Sequence, residues 1–378
     1  MKISLKAIPP SGFSGNGIAC GLKRSGDADL ALLYSDAPAI ARAKFTTGSI
    51  IAAPLTVSKK HLKLSKTFRA LLVNSGNANC FTGKAGIRDA EESARCLGWQ
   101  LSIPASSVLV NSTGIIGKRL DIAKIKKGIP GLVSGLSGSG IHKAAKAMMT
   151  TDTFAKEISV SLKIGGKTVN LCAVAKGAGM IAPNMATMLC FILTDANICG
   201  QALEKALAEA VEISFNCISV DGCMSTNDTV LVLANGRAGN KIIASGKALG
   251  DFSKALKLVC LELSKMIVMD AEGATKFIRI DVCRAKNFCE ARRAALNIAN
   301  SALFKTAVFG ENPNFGRVVA AVGASGLGVR EDQLKIHLGS LKGRQVRLKV
   351  SLSGGDACAT VYTSDLTPGY IKINAEYN

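Results

Sequence analysis

Residues 176–189 read Lys176-Gly177-Ala178-Gly179-Met180-Ile181-Ala182-Pro183-Asn184-Met185-Ala186-Thr187-Met188-Leu189. Two glycines and a Pro-Asn pair form a turn between apolar runs at 169–174 and 187–193, each with the length and composition of a strand buried on both faces. The second run opens at a threonine. A hydroxyl placed after a small residue at the mouth of a strand lies one five-membered ring away from the carbonyl carbon of the preceding peptide. Attack there gives an ester and then a cut chain. The freed threonine carries an α-amine whose ordinary pKa, about 7.7–8.0, suits it to act as base for its own hydroxyl. The segment taken alone does not establish self-cleavage and is better matched by a plain strand entry: threonine is favoured in strands, and Pro183-Asn184 is an ordinary turn signal.

Working outward, short β-like runs occur at 30–34 and 70–73, and the pattern predicts a helix over 89–97. The Gly/Ser-rich stretch 131–140 reads as a loop within a domain, because helical spacing resumes over 141–149. Leu203, Leu207, Ala210 and Val211 mark one later helix. Phe252, Leu256, Val259, Leu263 and Met266 mark another, with Asp251 expected to cap it. A strand is expected at 229–233 between them. From Lys276 the pattern restarts: Ile278, Ile280 and Val282 alternate with Arg279 and Asp281, and a helix carries Ala291, Ala295, Ile298 and Ala302. Strands at 346–350 and 359–361 follow. The expectation is an α+β protein with a main catalytic domain over 1–275, containing the 186/187 bond, and a smaller α+β domain over 276–378.

The chain has 378 residues, enough for a sizeable core. Its 47 Lys and Arg against 27 Asp and Glu leave a formal charge of +20, which raises nucleic acid or an acidic membrane as partners. The basic residues are scattered, however, and aromatics make up only 5%, so there is no basic stripe interleaved with stacking side chains. A solvated surface attractive to small anions is the expectation, with no nucleic-acid or membrane partner. The 12 cysteines include no C-x-x-C pair and many sit in apolar runs, while His61, His142 and His337 are the three histidines. That pattern predicts free buried thiols, a reducing compartment and no metal site. Residues 1–15 hold no apolar leader and no uncharged run of about 18 apolar residues occurs, so a cytoplasmic protein is expected.

The long motif at 176–189 resembles the processing site of the ornithine acetyltransferase family, the bifunctional glutamate N-acetyltransferases of arginine biosynthesis, which cut at an Ala-Thr bond. The resemblance extends along the chain in family order: Phe45-Thr46-Thr47 with Ala52-Ala53-Pro54, Val73-Asn74-Ser75-Gly76-Asn77-Ala78-Asn79, Asn111-Ser112-Thr113-Gly114-Ile115-Ile116-Gly117, Met149-Thr150-Thr151-Asp152-Thr153, Val220-Asp221-Gly222, Ser225-Thr226-Asn227-Asp228-Thr229 and Asp270-Ala271-Glu272-Gly273-Ala274-Thr275-Lys276. It implies layered sheets flanked by helices, as in self-processing aminopeptidases, and cleavage between Ala186 and Thr187 into fragments 1–186 and 187–378. It further implies Thr187 as nucleophile, Thr113 and Gly114 as the oxyanion hole, and Thr153, Lys176, Thr187, Glu272 and Asn374 as substrate contacts. The implied reaction carries acetyl from N-acetylornithine to glutamate without a cofactor, with acetyl-CoA a candidate second donor, in an assembly of two copies of each fragment.

The sequence departs from the family in three places. The usual G-x-D-P-N-W-G-R appears with Asn312 and Phe315 in Gly310-Glu311-Asn312-Pro313-Asn314-Phe315-Gly316-Arg317, and Cys223 replaces an acidic residue. The tail ends at Asn378, one residue short of the family's terminal hydroxyl residue. Two rivals accompany this reading. One is an amidase or aminopeptidase on the same self-processing framework, with water as acceptor. The other is a nucleotide- or RNA-binding module built on the glycine runs at 135–140 and 323–328, neither of which sits in a strand-to-helix phosphate turn.

Overall fold

The computed structural model describes residues 1–182 and 188–376. Their contacts divide into two compact units. The first holds residues 1–177, 188–211 and 225–263; the second holds 178–182, 212–224 and 264–376. The chain therefore visits the second unit twice before 264, and the position expected as a boundary, 275/276, lies inside that unit's long final stretch.

The first unit contains β1 (Lys2–Ser4), β2 (Phe13–Ile18), β3 (Leu30–Phe45), β4 (Phe68–Asn74), β5 (Val108–Ser112), β6 (Lys156–Ile164), β7 (Lys167–Lys176), β8 (Leu189–Thr194) and β9 (Thr229–Ala234). Their order is β1-β6-β7-β8-β9-β3-β4-β5, with β2 also on β3. β3 belongs to two ladders: residues 30–34 pair with β2 and β4, residues 40–45 pair with β9, and the register shifts in between. Because side chains alternate along a strand, Ala31 and Leu33 enter one core with Phe191 of β8 and Ile141, Ala144 and Met148 of a helix. Leu30 and Leu32 enter another with Ala94, Leu97, Ile125 and Ile129. Burial on both faces explains the near-continuous apolar runs.

The helices are α1 (Ala53–Leu64), α2 (Gly83–Gln100), α3 (Ile122–Ser134), α4 (Gly140–Met148), α5 (Gly200–Glu212) and α6 (Gly246–Met269), the last belonging to the first unit as far as Leu263. The helix expected over 89–97 is the middle of α2. The loop expected over 131–140 is corrected: α3 runs through Pro130 and Gly131 to Ser134, because Ile125, Ile129 and Leu132 keep one buried face across the breakers. Asp251 is also corrected. It lies inside α6, whose first turn, rich in glycine and hence poor in helix propensity, hides the true start at Gly246.

In the second unit β10 (Phe277–Ala285), β11 (Lys335–Leu338), β12 (Gln345–Ser351) and β13 (Ala357–Ser364) form a sheet ordered β11-β12-β10-β13, with α7 (Phe288–Ala299), α8 (Ala302–Phe309), α9 (Phe315–Gly323) and α10 (Pro368–Glu376). Ile278, Ile280 and Val282 pack with Ala291, Ala295, Ile298, Val318 and Leu348, as the alternation predicts. The single helix expected through Ala302 is two: Ser301 breaks it by accepting the Phe304 N–H at 3.2 Å, an N-cap for α8. No helix among the described residues is long and apolar enough to cross a membrane. All 12 cysteines are free.

Candidate active site

Parallel pairs need a crossover connection, and the first unit has two: β4 with β5 through α2, and β8 with β9 through α5. The residues expected to act on the oxyanion leave the carboxyl end of the first pair. Thr113 follows β5 and donates its N–H to Asn74 O, at the end of β4, at 2.9 Å. Gly114 has φ +128°, and a Cβ there would lie 2.4 Å from the carbonyl carbon of Gly76 and 2.5 Å from Asn77 N. Only glycine fits this crossing. A buried polar network holds the two turns: Ser112 Oγ donates to Asn74 Oδ1 (2.6 Å), Asn111 Nδ2 to Thr229 Oγ1 (2.7 Å), and Asn227 Nδ2 to both Ala78 O and Ser112 O (2.8 Å each). Such a network, with its members paired, fixes one arrangement of the turns.

Lys176 ends β7 and is 2% exposed. Its ammonium donates to Thr150 Oγ1 at 2.7 Å, lies 3.5 Å from Thr113 Oγ1 and stands 3.7 Å from Asp152 Oδ2. Asp152 Oδ1 takes the Lys156 ammonium at 2.7 Å and the Gly177 N–H at 2.6 Å. Burial alone would raise the Asp152 carboxyl, but Lys176, Lys156 and the Gly177 amide outweigh it and hold the group well below the usual carboxylate range. Asp152 thus neutralises two buried lysines and anchors Gly177, the glycine after Lys176. Thr153, next in the chain, is exposed.

Ala186 and Thr187, the expected scissile pair, lie outside the described residues, as does Asn378. The first unit fixes the residue just after the pair. Met188 N–H donates to Asp228 Oδ1 at 3.1 Å, and Thr229 N–H donates to Met188 O at 3.1 Å. In the second unit, Met180 and Ile181 hang on Asp221, whose carboxylate accepts from Met180 N (2.6 Å) and Ile181 N (2.9 Å).

The second unit also brings Glu272 and Asn374 together. Asn374 Nδ2 donates to Glu272 Oε2 at 2.8 Å, and Glu272 N–H donates to Ala178 O at 3.0 Å. Gly273, at φ +64°, has no room for a side chain: a Cβ would meet Tyr370 N at 2.3 Å, so the first turn of α10, which carries Asn374, sits directly on this glycine. Lys305 is also buried in the second unit. Burial pushes its ammonium down to about 8 despite Asp221 and Asp365, and it donates to Val220 O.

Of the residues expected at the site, the structure gathers Thr113, Gly114 and Lys176 in the first unit and Glu272 with Asn374 in the second. Sequence reading gave no role to Asp152, Asp221 or Asp228, although each stands in a quoted motif. An acidic residue inside an otherwise small, polar or apolar motif is the signal that marks them. The Cys223 departure is exposed; its N–H joins the Asp221 carboxylate at 3.1 Å.

The ArgJ family model matches residues 14–342. The arginine biosynthesis bifunctional protein ArgJ of Geobacter sulfurreducens is 43% identical over 97% of this chain and 98% of its own. The glutamate N-acetyltransferase of Methanocaldococcus jannaschii is 42% identical over 97% of each. The solved structure of the ornithine acetyltransferase of Mycobacterium tuberculosis in complex with ornithine is 33% identical, covering 50% of this chain and 99% of that one with a TM-score of 0.45. With a family model spanning most of its length and relatives matching end to end, the chain belongs to the ArgJ family.

Proposed function

We propose that this acyltransferase of arginine biosynthesis cuts itself between Ala186 and Thr187 and uses the freed Thr187 to pass acetyl from N-acetylornithine to glutamate. The Thr187 hydroxyl, with its own α-amine as base, attacks the acetyl carbonyl; Thr113 Oγ and Gly114 N–H receive the oxyanion. Ornithine leaves with a proton, and the amine of glutamate then removes acetyl from the threonine ester. Amide is exchanged for amide, so the transfer is nearly balanced and calls for no redox cofactor. Lys176 serves the carboxylate and Glu272 the ammonium of the substrates, with Thr153 and Asn374 as further contacts. The fragments 1–186 and 187–378 stay together, two copies of each, in the cytoplasm.

The observation that carries this reading is the Thr113–Gly114 turn, with the Lys176 ammonium 3.5 Å from the Thr113 hydroxyl and no room at Gly114 for any side chain. A denaturing gel with intact-mass measurement tests the cut: two fragments of 186 and 192 residues are expected. Thr187→Ala is expected to stay whole and inactive; a mutant still cut at 186/187 overturns the nucleophile. Acetyl transfer measured with glutamate, with water alone and with acetyl-CoA separates the transferase from a hydrolase and identifies the donors.

A further inference from the structure

Three stretches of the second unit that lie far apart in the chain meet at the Asp221 carboxylate. Oδ2 accepts the Met180 N–H at 2.6 Å and the Tyr370 hydroxyl at 3.2 Å; Oδ1 accepts the Ile181 N–H at 2.9 Å and the Cys223 N–H at 3.1 Å. From Met180 the path runs back along the chain to Ala178, whose carbonyl accepts the Glu272 N–H at 3.0 Å. From Tyr370 it runs along α10 to Asn374, whose Nδ2 donates both to Tyr370 O at 3.0 Å and to Glu272 Oε2 at 2.8 Å. The bonds form a closed ring: Asp221, Met180, Ala178, Glu272, Asn374, Tyr370 and Asp221 again. No residue of α10 is buried, so this helix is not held by a packed apolar face as most helices are. Its first turn is tied by Thr367, whose hydroxyl donates to Gly273 O at 2.6 Å and accepts the Tyr370 N–H at 3.2 Å. The half-buried Tyr370 side chain then carries the helix to Asp221. Its phenol keeps the proton for that bond, because burial and the Asp221 charge push it well above its usual range.

We propose that Tyr370 is a positioning residue for recognition of the substrate ammonium: its hydroxyl, held by Asp221, fixes α10 so that Asn374 keeps the Glu272 carboxylate in one place. The proposal rests on the reading that Glu272 receives the ammonium of N-acetylornithine. A glutamate side chain that is free to turn loses rotamer freedom when it takes hold of a cation, and that loss weakens binding. Here Asn374 holds one carboxylate oxygen in advance, and Asn374 is itself held at Tyr370 O. Without the Tyr370 hydroxyl the helix loses its side-chain tie to Asp221, Asn374 moves with it, and the carboxylate is released. Glutamate as acceptor brings no side-chain ammonium, so the loss falls on the half-reaction of the donor. Tyr370 thereby helps to select the amine-bearing substrate without touching it.

Tyr370→Phe is the test, because phenylalanine keeps the ring and removes only the hydroxyl. Asp221 retains three backbone donors, and α10 buries no residue, so the variant is expected to fold with an unchanged melting temperature. In the full-length enzyme, kcat/KM for N-acetylornithine is expected to fall about 10-fold, mostly through KM, while kcat/KM for glutamate stays within about twofold. The two half-reactions are separate, so each ratio reports on its own substrate. A general weakening of the fold would lower both, and an equal fall in both overturns the proposal. Wild-type kinetics overturn it as well. The same substitution is then made in Glu272→Gln. A residue that acts through Glu272 has nothing further to lose there, so the double variant is expected to match Glu272→Gln alone. A full additional 10-fold loss overturns the positioning role. If Glu272→Gln itself keeps the wild-type kcat/KM for N-acetylornithine, the assignment of Glu272 fails and this proposal falls with it. If Glu272→Gln is impaired while Tyr370→Phe is not, this proposal fails alone.

Discussion

Glu272 lies directly over Gly179 in the second unit: a methyl group built on Gly179 would come within 2.2 Å of Glu272 Oε2, the same oxygen that Asn374 Nδ2 holds at 2.8 Å. The clash is with the far end of a flexible side chain, which can swing aside. Gly179→Ala is therefore expected to fold with a stability change within about 1 kcal/mol, while moving the carboxylate assigned to ornithine's ammonium. The expected result is a roughly 10-fold loss of kcat/KM for N-acetylornithine, mostly in KM, as for a weakened charge-assisted hydrogen bond. Steady-state kinetics beside a thermal melt check it. Unchanged kinetics would remove Glu272 from the substrate site.

Gly114→Ala contrasts with this, although the two substitutions are chemically identical. The atoms in the way are the backbone of Gly76 and Asn77, at 2.4 and 2.5 Å, and φ is +128°. Backbone cannot swing aside, so the strand-end turns must separate at a cost of several kcal/mol in addition to the strain of the dihedral. The variant is expected to melt well below the wild type or to fail to accumulate. Equal melting temperatures would show that the two turns are not locked together.

Thr113→Ala isolates chemistry from folding. The hydroxyl's partner is Lys176 at the 3.5 Å limit of a hydrogen bond, so removing it is expected to cost little stability. A lost oxyanion donor costs about 10²- to 10³-fold in kcat. The comparison to make is kcat against the melting temperature for Thr113→Ala and Thr113→Ser. Serine keeps the hydroxyl and is expected to recover most of the rate; an alanine variant with wild-type kcat would end the assignment.

Much of this was legible in the residues. Period-2 alternation at Ile278, Ile280 and Val282 specified which face of β10 is buried, and long apolar runs such as 189–194 specified strands covered on both sides. The motif order marked Thr113, Gly114, Lys176 and Glu272. Other features depend on partners distant in sequence. Nothing near Asp251 shows that α6 begins five residues earlier, because a first turn with two glycines has little helix preference of its own. α3 passes Pro130 because its apolar face is packed, which is a tertiary effect. The chain's two early visits to the second unit, at 178–182 and 212–224, rest on contacts such as Asp221 to Met180 and Ile181, 41 and 40 residues apart and invisible to periodicity. Asp152 and Asp228 show the same limit: both are aspartates in polar motifs, yet two lysines hold the titration of one well below the usual carboxylate range while burial pushes that of the other well above it.

That difference makes Asp152 the sharpest test of the electrostatics. Its side chain is fully buried between Lys156 at 2.7 Å and Lys176 at 3.7 Å. Removing one member of a buried ion cluster strands the others, so Asp152→Asn is expected to lose roughly 3–5 kcal/mol of stability at neutral pH, read as a lower urea midpoint. The sign of the pH dependence follows from the direction of the shift. The folded carboxyl titrates below its unfolded value of 3.8, so its contribution is complete above that value and is lost as pH falls through the folded one. The gap between wild-type and Asp152→Asn midpoints should therefore stay constant from neutral pH down to about 5 and narrow below about 4. A gap that instead narrows on going alkaline from pH 5 to 7 would mean that Asp152 is not the charged partner of the two lysines, and Lys176 would need another counter-ion.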